Sequence, residues 1–396
     1  MKTNKINHSK YLGVKMEKVL VVFFTVLFSY SVVYCQSENK LESTIEKYNF
    51  GKLVDGIEVT AFTLKNANGM TAKIIDYGAS VVSLTAPDRN GNYADVVLGY
   101  DNLEGYVKGA SFFGGIVGRY GNRIGKGKMT IDEKEYQLAT NNGKNHLHGG
   151  VVGYNKKLWT VNKTEVTSKG PAITLTLISE DGDENYPGTV KLTVVYTLTN
   201  DNSLSIEYTG TTDKTTVLNP TNHSYFNLSG DMNKTILDHE LMIDADKTTP
   251  VDAGLITTGE LADVAGTPMD FRTAKKIGKD ISADDEQLKF GGGYDHNWVV
   301  NNYDEKVKLI STLYEPKSGR LMETYSDEPG LQFYSGNFLD GTITGKSGIK
   351  YKYRTGLCLE AQHYPDSPNK PQFPSVLLKP GETYSQTTIY KFSVKK

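Results

Sequence analysis

Residues 190–208 carry the pattern that most restricts the fold. Val190, Leu192, Val194, Tyr196 and Leu198 alternate with more polar residues, Asn200-Asp201-Asn202 interrupts the run, and Leu204, Ile206 and Tyr208 resume it. A period of two puts one set of side chains on a single face of an extended chain, so the stretch reads as a hairpin with one buried face. Ile173, Leu175 and Leu177 repeat the pattern, and residues 308–314 and 321–325 do so on either side of Glu315-Pro316-Lys317-Ser318-Gly319. Asp88-Arg89-Asn90-Gly91-Asn92 is a further turn between apolar runs. Helical periodicity is nearly absent, with one short helix expected at residues 282–288. Many strands at short spacing must bury their apolar faces against one another, which predicts an all-β fold, a large antiparallel β sandwich with little helix. A length of 396 residues would allow two or three domains. No low-complexity tract, internal repeat or splitting linker divides the chain, so one domain is expected over residues 48–396, after a polar linker at 37–47.

Composition narrows the partners. Hydrophobic residues at 38% are enough for a core, and a net charge of -2 with dispersed Lys and Arg argues against nucleic acid or an acidic membrane surface. A near-neutral chain steers charged ligands weakly, which suits a neutral substrate. The 25 tyrosines and 39 glycines favour strands and turns, and tyrosine also suits sugar recognition. With only 2 cysteines, Cys35 and Cys358, no disulfide framework is expected, and Cys358 reads as a buried apolar filler.

The amino terminus has its own logic. Lys10, Lys15 and Lys18 precede an almost wholly apolar run at residues 19–33. That run is short for a membrane span and typical of a secretory signal. Residues 1–36 are therefore expected to be a targeting segment, with Met16 as an internal start and cleavage near residues 35–37. The expectation is an exported protein, periplasmic or secreted. Cys35 directly after the apolar run raises lipid attachment, although Tyr34 is bulky where a lipidation signal wants a small residue.

Several polar segments could carry chemistry. Thr221-Asn222-His223-Ser224-Tyr225-Phe226-Asn227-Leu228 follows Pro220 and sets a histidine among hydrogen-bonding side chains and apolar anchors. Leu357-Cys358-Leu359-Glu360-Ala361 places a carboxylate in an otherwise apolar strand, where burial is costly unless the group is partnered or working. Burial would raise its pKa, as suits a general base near neutral pH. Residues 118–125 are glycine-rich and basic but lack the spacing of a phosphate loop, so Asn122 and Arg123 fit a neutral ligand better. His146 and His148, two apart on a strand, would point the same way as in a metal site, yet no carboxylate follows them. Gly291-Gly292-Gly293-Tyr294-Asp295 could turn Asp295 inward or could simply open a strand, and Gln332 and Tyr334 give their strand a polar face that solvent could equally claim. Asp181-Gly182-Asp183-Glu184-Asn185 lacks calcium-loop spacing and reads as a solvated turn.

Taken together, residues 118–124, Leu147-His148-Gly149-Gly150, 219–228, 294–297, 330–337 and Leu359-Glu360 resemble the aldose 1-epimerase (galactose mutarotase) family, in the family's order, from about residue 48 onward. The resemblance implies a mutarotase-type supersandwich with an open sugar cleft, and aldohexoses such as glucose and galactose as substrates. It further implies His223 as general acid, Glu360 as general base, and Asn122, Arg123, His148, Asp295 and Gln332 as sugar contacts. His146 stays outside the site. Tyr120-Gly121 departs from the small apolar pair common in the family, which suggests an altered cleft wall. No metal or other cofactor is implied, and the partner is a monosaccharide bound by a monomer or weak dimer. Anomer exchange needs the C1 hydroxyl to lose a proton while the ring oxygen gains one, which a carboxylate and a histidine on opposite sides of the sugar can do. A glycoside hydrolase, a non-catalytic sugar-binding module and a hexose-phosphate epimerase are the rivals.

Overall fold

The computed structural model describes residues 41–109 and 111–396, and these fall within one compact unit. The expected targeting segment at 1–36, with Met16 and Cys35, lies outside the described residues. The first strand, Thr44–Lys52, begins inside the stretch expected to be a linker, because residues 44–52 pair in register with Glu58–Lys65. Polar composition misleads there: the strand is mostly exposed and needs little apolar surface.

Antiparallel sheets dominate the described residues. A nine-stranded sheet runs in the order Thr160–Val166, Pro171–Ser179, Val190–Leu198, Ser203–Thr212, Tyr384–Val394, Arg320–Ser326, Lys308–Tyr314, Glu240–Ile243 and Lys275–Lys276. The hairpin read from the alternation is present, with Val190 paired to Thr212 and Leu198 to Leu204. Its inward set, Val190, Leu192, Val194, Tyr196, Leu198, Leu204 and Ile206, joins the main core. A five-stranded sheet, Thr44–Lys52 to Tyr93–Asp95, covers the amino-terminal side. A second five-stranded sheet runs Ala262–Asp263, Lys247–Thr249, Asp295–Val299, Gly330–Tyr334 and Cys358–Gln362.

This last sheet positions the site. Its register sets Asn297 opposite Gln332 and Gln332 opposite Glu360. Side chains alternate across a strand, so Asp295, Asn297, Gln332, Tyr334, Cys358, Glu360 and Gln362 share one face. Trp298, Leu331, Phe333, Leu359 and Ala361 point to the other and pack in the main core. A short helix, Glu286–Gly291, starts four residues later than the one expected at 282–288, because the Asp285 side chain caps it on the Leu288 amide. A second, Leu103–Lys108, lies where periodicity gave no signal, since a single turn and a half is too short to show one.

Candidate active site

The segment carrying His223 is clasped from both sides. Thr221 and Asn222 pair with Val117 and Ile116, the His223 amide donates to the Gly115 carbonyl at 2.9 Å, and Phe226 exchanges backbone bonds with Leu357. Leu357 directly precedes the strand bearing Glu360, and the Thr221 hydroxyl donates to the Ala361 carbonyl at 2.8 Å. Asn222 braces the turn, its amide donating to the Gly114 carbonyl and its oxygen accepting from the Ser224 amide and hydroxyl. Residues far apart in sequence therefore meet across hydrogen bonds that leave little freedom.

A cleft of about 530 Å³ opens over this face, and all seven expected residues, Asn122, Arg123, His148, His223, Asp295, Gln332 and Glu360, line it. His223 Nε2 lies 3.8 Å from Glu360 Oε1. Arg123 Nη1 lies 3.8 Å from Asp295 Oδ2, and Gln332 Nε2 donates to Asp295 Oδ1 at 2.7 Å. The backbone is held in uncommon conformations at the site: Phe112, Asn122 and His148 all have positive φ, a cost that surrounding structure must sustain. Gly149, at φ 83°, cannot be replaced without loss, because a Cβ there would come within 1.7 Å of the Gly118 carbonyl oxygen.

The two cleft histidines differ in what their rings can carry. His148 Nδ1 accepts the Asn122 amide proton at 3.1 Å, so that nitrogen is bare and a neutral His148 presents Nε2–H. Burial holds its pKa well below the ordinary histidine value, with the His223 and Arg123 charges adding to the effect. His148 is thus a fixed hydrogen-bond donor. His223 Nδ1 instead faces the Cys358 sulfur at 3.5 Å, and a thiol can donate or accept. Only His223 of the pair is free to gain and lose a proton without breaking a backbone bond. Its ring stacks with Phe112 and Tyr225, at centroid distances of 5.6 and 5.0 Å.

Burial governs the electrostatics. It pushes His223 down to about 4. It pushes Glu360 well above the usual carboxylate range, with the Asp295 charge adding to the rise and Arg123 opposing it. Desolvation penalises a charge on either group, so the pair favours one shared proton over two or none. His148, His223 and Glu360 bring ligand-type atoms within 4.8 Å of one another, as a metal site would. The set fits an ion poorly, because the bare nitrogen of His148 is taken by an amide and its other nitrogen bears hydrogen.

Several expectations need correction. His146 and His148 do not act as a same-facing pair. His146 sits between the Ala139 carbonyl and the Tyr186 hydroxyl, while His148 has left the strand and turned into the cleft. Tyr120 does not form the cleft wall; it is buried behind the site, with its hydroxyl on the Tyr364 carbonyl. Arg119 is also buried, donating to the carbonyls of Pro187, Gly188 and Ser179, so Arg123 alone of the two reaches the cleft. The acidic turn is solvent-accessible as expected and is also tethered, with Glu184 accepting from the amides of Val151 and Val152 and Asp183 pairing with Lys157. Tyr334, whose polar strand face solvent could have claimed, lines the cleft with Tyr225, and so do Phe112 and Phe338, to which sequence pattern assigned no role. Tyr225 carried a signal, two residues from His223; Phe112 and Phe338 carried none beyond being aromatic.

A β sandwich whose open face holds a buried histidine–carboxylate pair amid polar anchors, with Arg123 and Asp295 set against each other, defines a class of acid–base enzymes acting on small polyhydroxy ligands. The family model for aldose 1-epimerase matches residues 60–391, and the chain belongs to that family. It is 46% identical over 345 residues to a galactose mutarotase of Bos taurus, covering 87% of this chain and 97% of that one. It is 39% identical to an aldose 1-epimerase of Escherichia coli strain K12, covering 85% and 96%. A crystal structure of galactose 1-epimerase from Lactobacillus acidophilus superposes with a TM-score of 0.78 at 30% identity, covering 90% of this chain and all of that one.

Proposed function

We propose that the chain is an aldose 1-epimerase that interconverts the α and β anomers of free aldohexoses such as glucose and galactose, serving hexose metabolism. The observation that carries the reading is the buried His223–Glu360 pair in a cleft whose lining combines hydrogen-bonding groups with aromatic side chains. With the pair's one proton on His223, the ionised Glu360 takes the C1 hydroxyl proton while the imidazolium Nε2–H of His223 protonates the ring oxygen, leaving a neutral imidazole and a carboxylic acid. The open chain rotates about C1–C2, and the reverse transfers close the ring on the other face. Arg123, His148, Asp295, Gln332 and Asn122 hold the remaining hydroxyls, so the aldehyde turns without leaving. The chemistry calls for no metal or redox group.

The rivals fit less well. A glycoside hydrolase needs two carboxylates free to flank the bond, and Asp295 is committed to Gln332 and Arg123. A phosphate ester needs a cation cluster, whereas Lys108 at the rim is paired with Glu104. Polarimetry of freshly dissolved α-glucose and α-galactose tests the reading. Positioned acid–base catalysis contributes roughly 10²–10⁴, so Glu360→Gln and His223→Asn should each lose activity on that scale. Near-normal rates in both would sink the assignment.

The apolar run at residues 19–33 supports export of the mature domain, with lipid attachment at Cys35 as the variant form. Mass spectrometry of the processed amino terminus distinguishes the two. A monomer or weak dimer is the corresponding assembly, which sedimentation checks.

A further inference from the structure

Beneath the cleft floor runs a chain of buried amides that the proton-transfer pair does not use. Gln362, two residues beyond Glu360 on the same strand face, is fully buried, and Asn297 and Gln332 are nearly so. Gln362 Nε2 lies 3.3 Å from Asn297 Oδ1 and 3.5 Å from Gln332 Oε1. Gln332 Nε2 in turn donates to Asp295 Oδ1.

The polarity of this chain is imposed from its cleft end. An ionised carboxylate can only accept, so Gln332 must turn its NH₂ toward Asp295. That places Gln332 Oε1 toward Gln362, where it needs a donor. Buried as it is, an amide oxygen facing another amide oxygen would be costly. The backbone makes room for the chain: Gly330 lies opposite Gln362 in register, and a Cβ at Gly330 would come within 2.5 Å of Asn297 Oδ1.

We propose that Gln362, seated against Asn297, is a positioning residue that locks the amide of Gln332 in the orientation that holds Asp295 ready for a substrate hydroxyl. It touches no substrate and acts through Gln332. The inference rests on the sugar-binding reading of Asp295 and Gln332 given above. An anchor for a hydroxyl remote from C1 acts equally in ground and transition states, so its loss raises KM and spares kcat.

Gln362→Met keeps the volume and removes the amide, and Gln362→Glu turns two acceptors toward Gln332. In polarimetric kinetics, Gln362→Met should raise KM roughly 5- to 10-fold, the worth of one hydrogen bond of this kind, with kcat within about twofold. Gln362→Glu should raise it further. In a double-mutant cycle, Gln362→Met should add almost nothing once Gln332→Met has removed the amide it orients. A purely structural role predicts the opposite: less folded protein, lower apparent kcat, unchanged KM and additive losses. Unchanged KM in Gln362→Met, or full additivity in the cycle, would overturn the proposal. If Gln362→Met does not fold, the KM of Gln362→Glu decides by the same criterion. Loss of anomer exchange in the wild-type protein itself would instead overturn the functional reading, so the two failures are distinguishable.

Discussion

At the scale of single residues, the second ring nitrogen sets His223 apart from three other buried histidines, in keeping with the acid role proposed for it. His148, His239 and His296 each accept a backbone amide proton, from Asn122, Leu228 and Asp295 respectively, and so keep one nitrogen bare. His223 faces a thiol and is spared that constraint. The titratable groups around it are Glu360, His148, Tyr225 and Cys358. The pH dependence follows with a definite sign. The working pair holds one proton, and activity is lost on the acid side when a second binds. Burial lowers His223 from 6.5 to about 4 in the free protein, so kcat/KM should stay level as pH falls through 6.5 and drop only as it approaches about 4. A polarimetric pH profile with its acid inflexion near 6.5 would contradict this. The sequence made Glu360 legible as a carboxylate among apolar neighbours, and His223 as a scarce histidine set among hydrogen-bonding side chains and apolar anchors. It was silent on tautomers, which depend on amides and thiols supplied by distant segments.

At the scale of elements, the site is a junction between short strands. The His223 segment is a two-residue strand continued by an Asn222-braced turn, and the Glu360 segment is a sheet strand. Replacing Asn222 by Ala removes the brace on the Gly114 carbonyl and on Ser224, and leaves the turn free to relax. We expect kcat for Asn222→Ala to fall by about tenfold with smaller change in KM, since a displaced acid fails mainly in the transition state. Stopped polarimetry on the purified variant checks it. The hairpin at residues 190–208 was readable because it alternates cleanly, with one face in the core and the other toward water. The cleft strands were less readable. Gln332 and Glu360 are polar residues on a buried face, so the pattern resembles a broken alternation whose inward side cannot be recognised until neighbours are known. Residues 44–47, the start of the strand Thr44–Lys52, read as linker because an exposed edge strand is stabilised by ladder bonds, which composition does not record.

At the scale of the whole molecule, the sandwich separates stability from chemistry across a single sheet. Phe333 packs among Tyr294, Phe271 and Trp298 on the core side, while its neighbours Gln332 and Tyr334 face the cleft. Phe333→Ala should cost about 3–5 kcal/mol of stability in denaturant titration, yet leave KM of the folded fraction within about twofold. A large KM change at unchanged stability would show that the two faces are not separable. Local pattern in the sequence was enough for the all-β class and the family, because strand periodicity and short motifs are properties of neighbouring residues. Tertiary structure alone decided that His148 is a donor rather than a metal ligand, that Tyr120 and Arg119 stand behind the cleft, and that Gln362 reaches Asp295 through Gln332. Each of those depends on hydrogen bonds between segments far apart in the chain, and the register that brings them together is set by the packed core rather than by any local pattern.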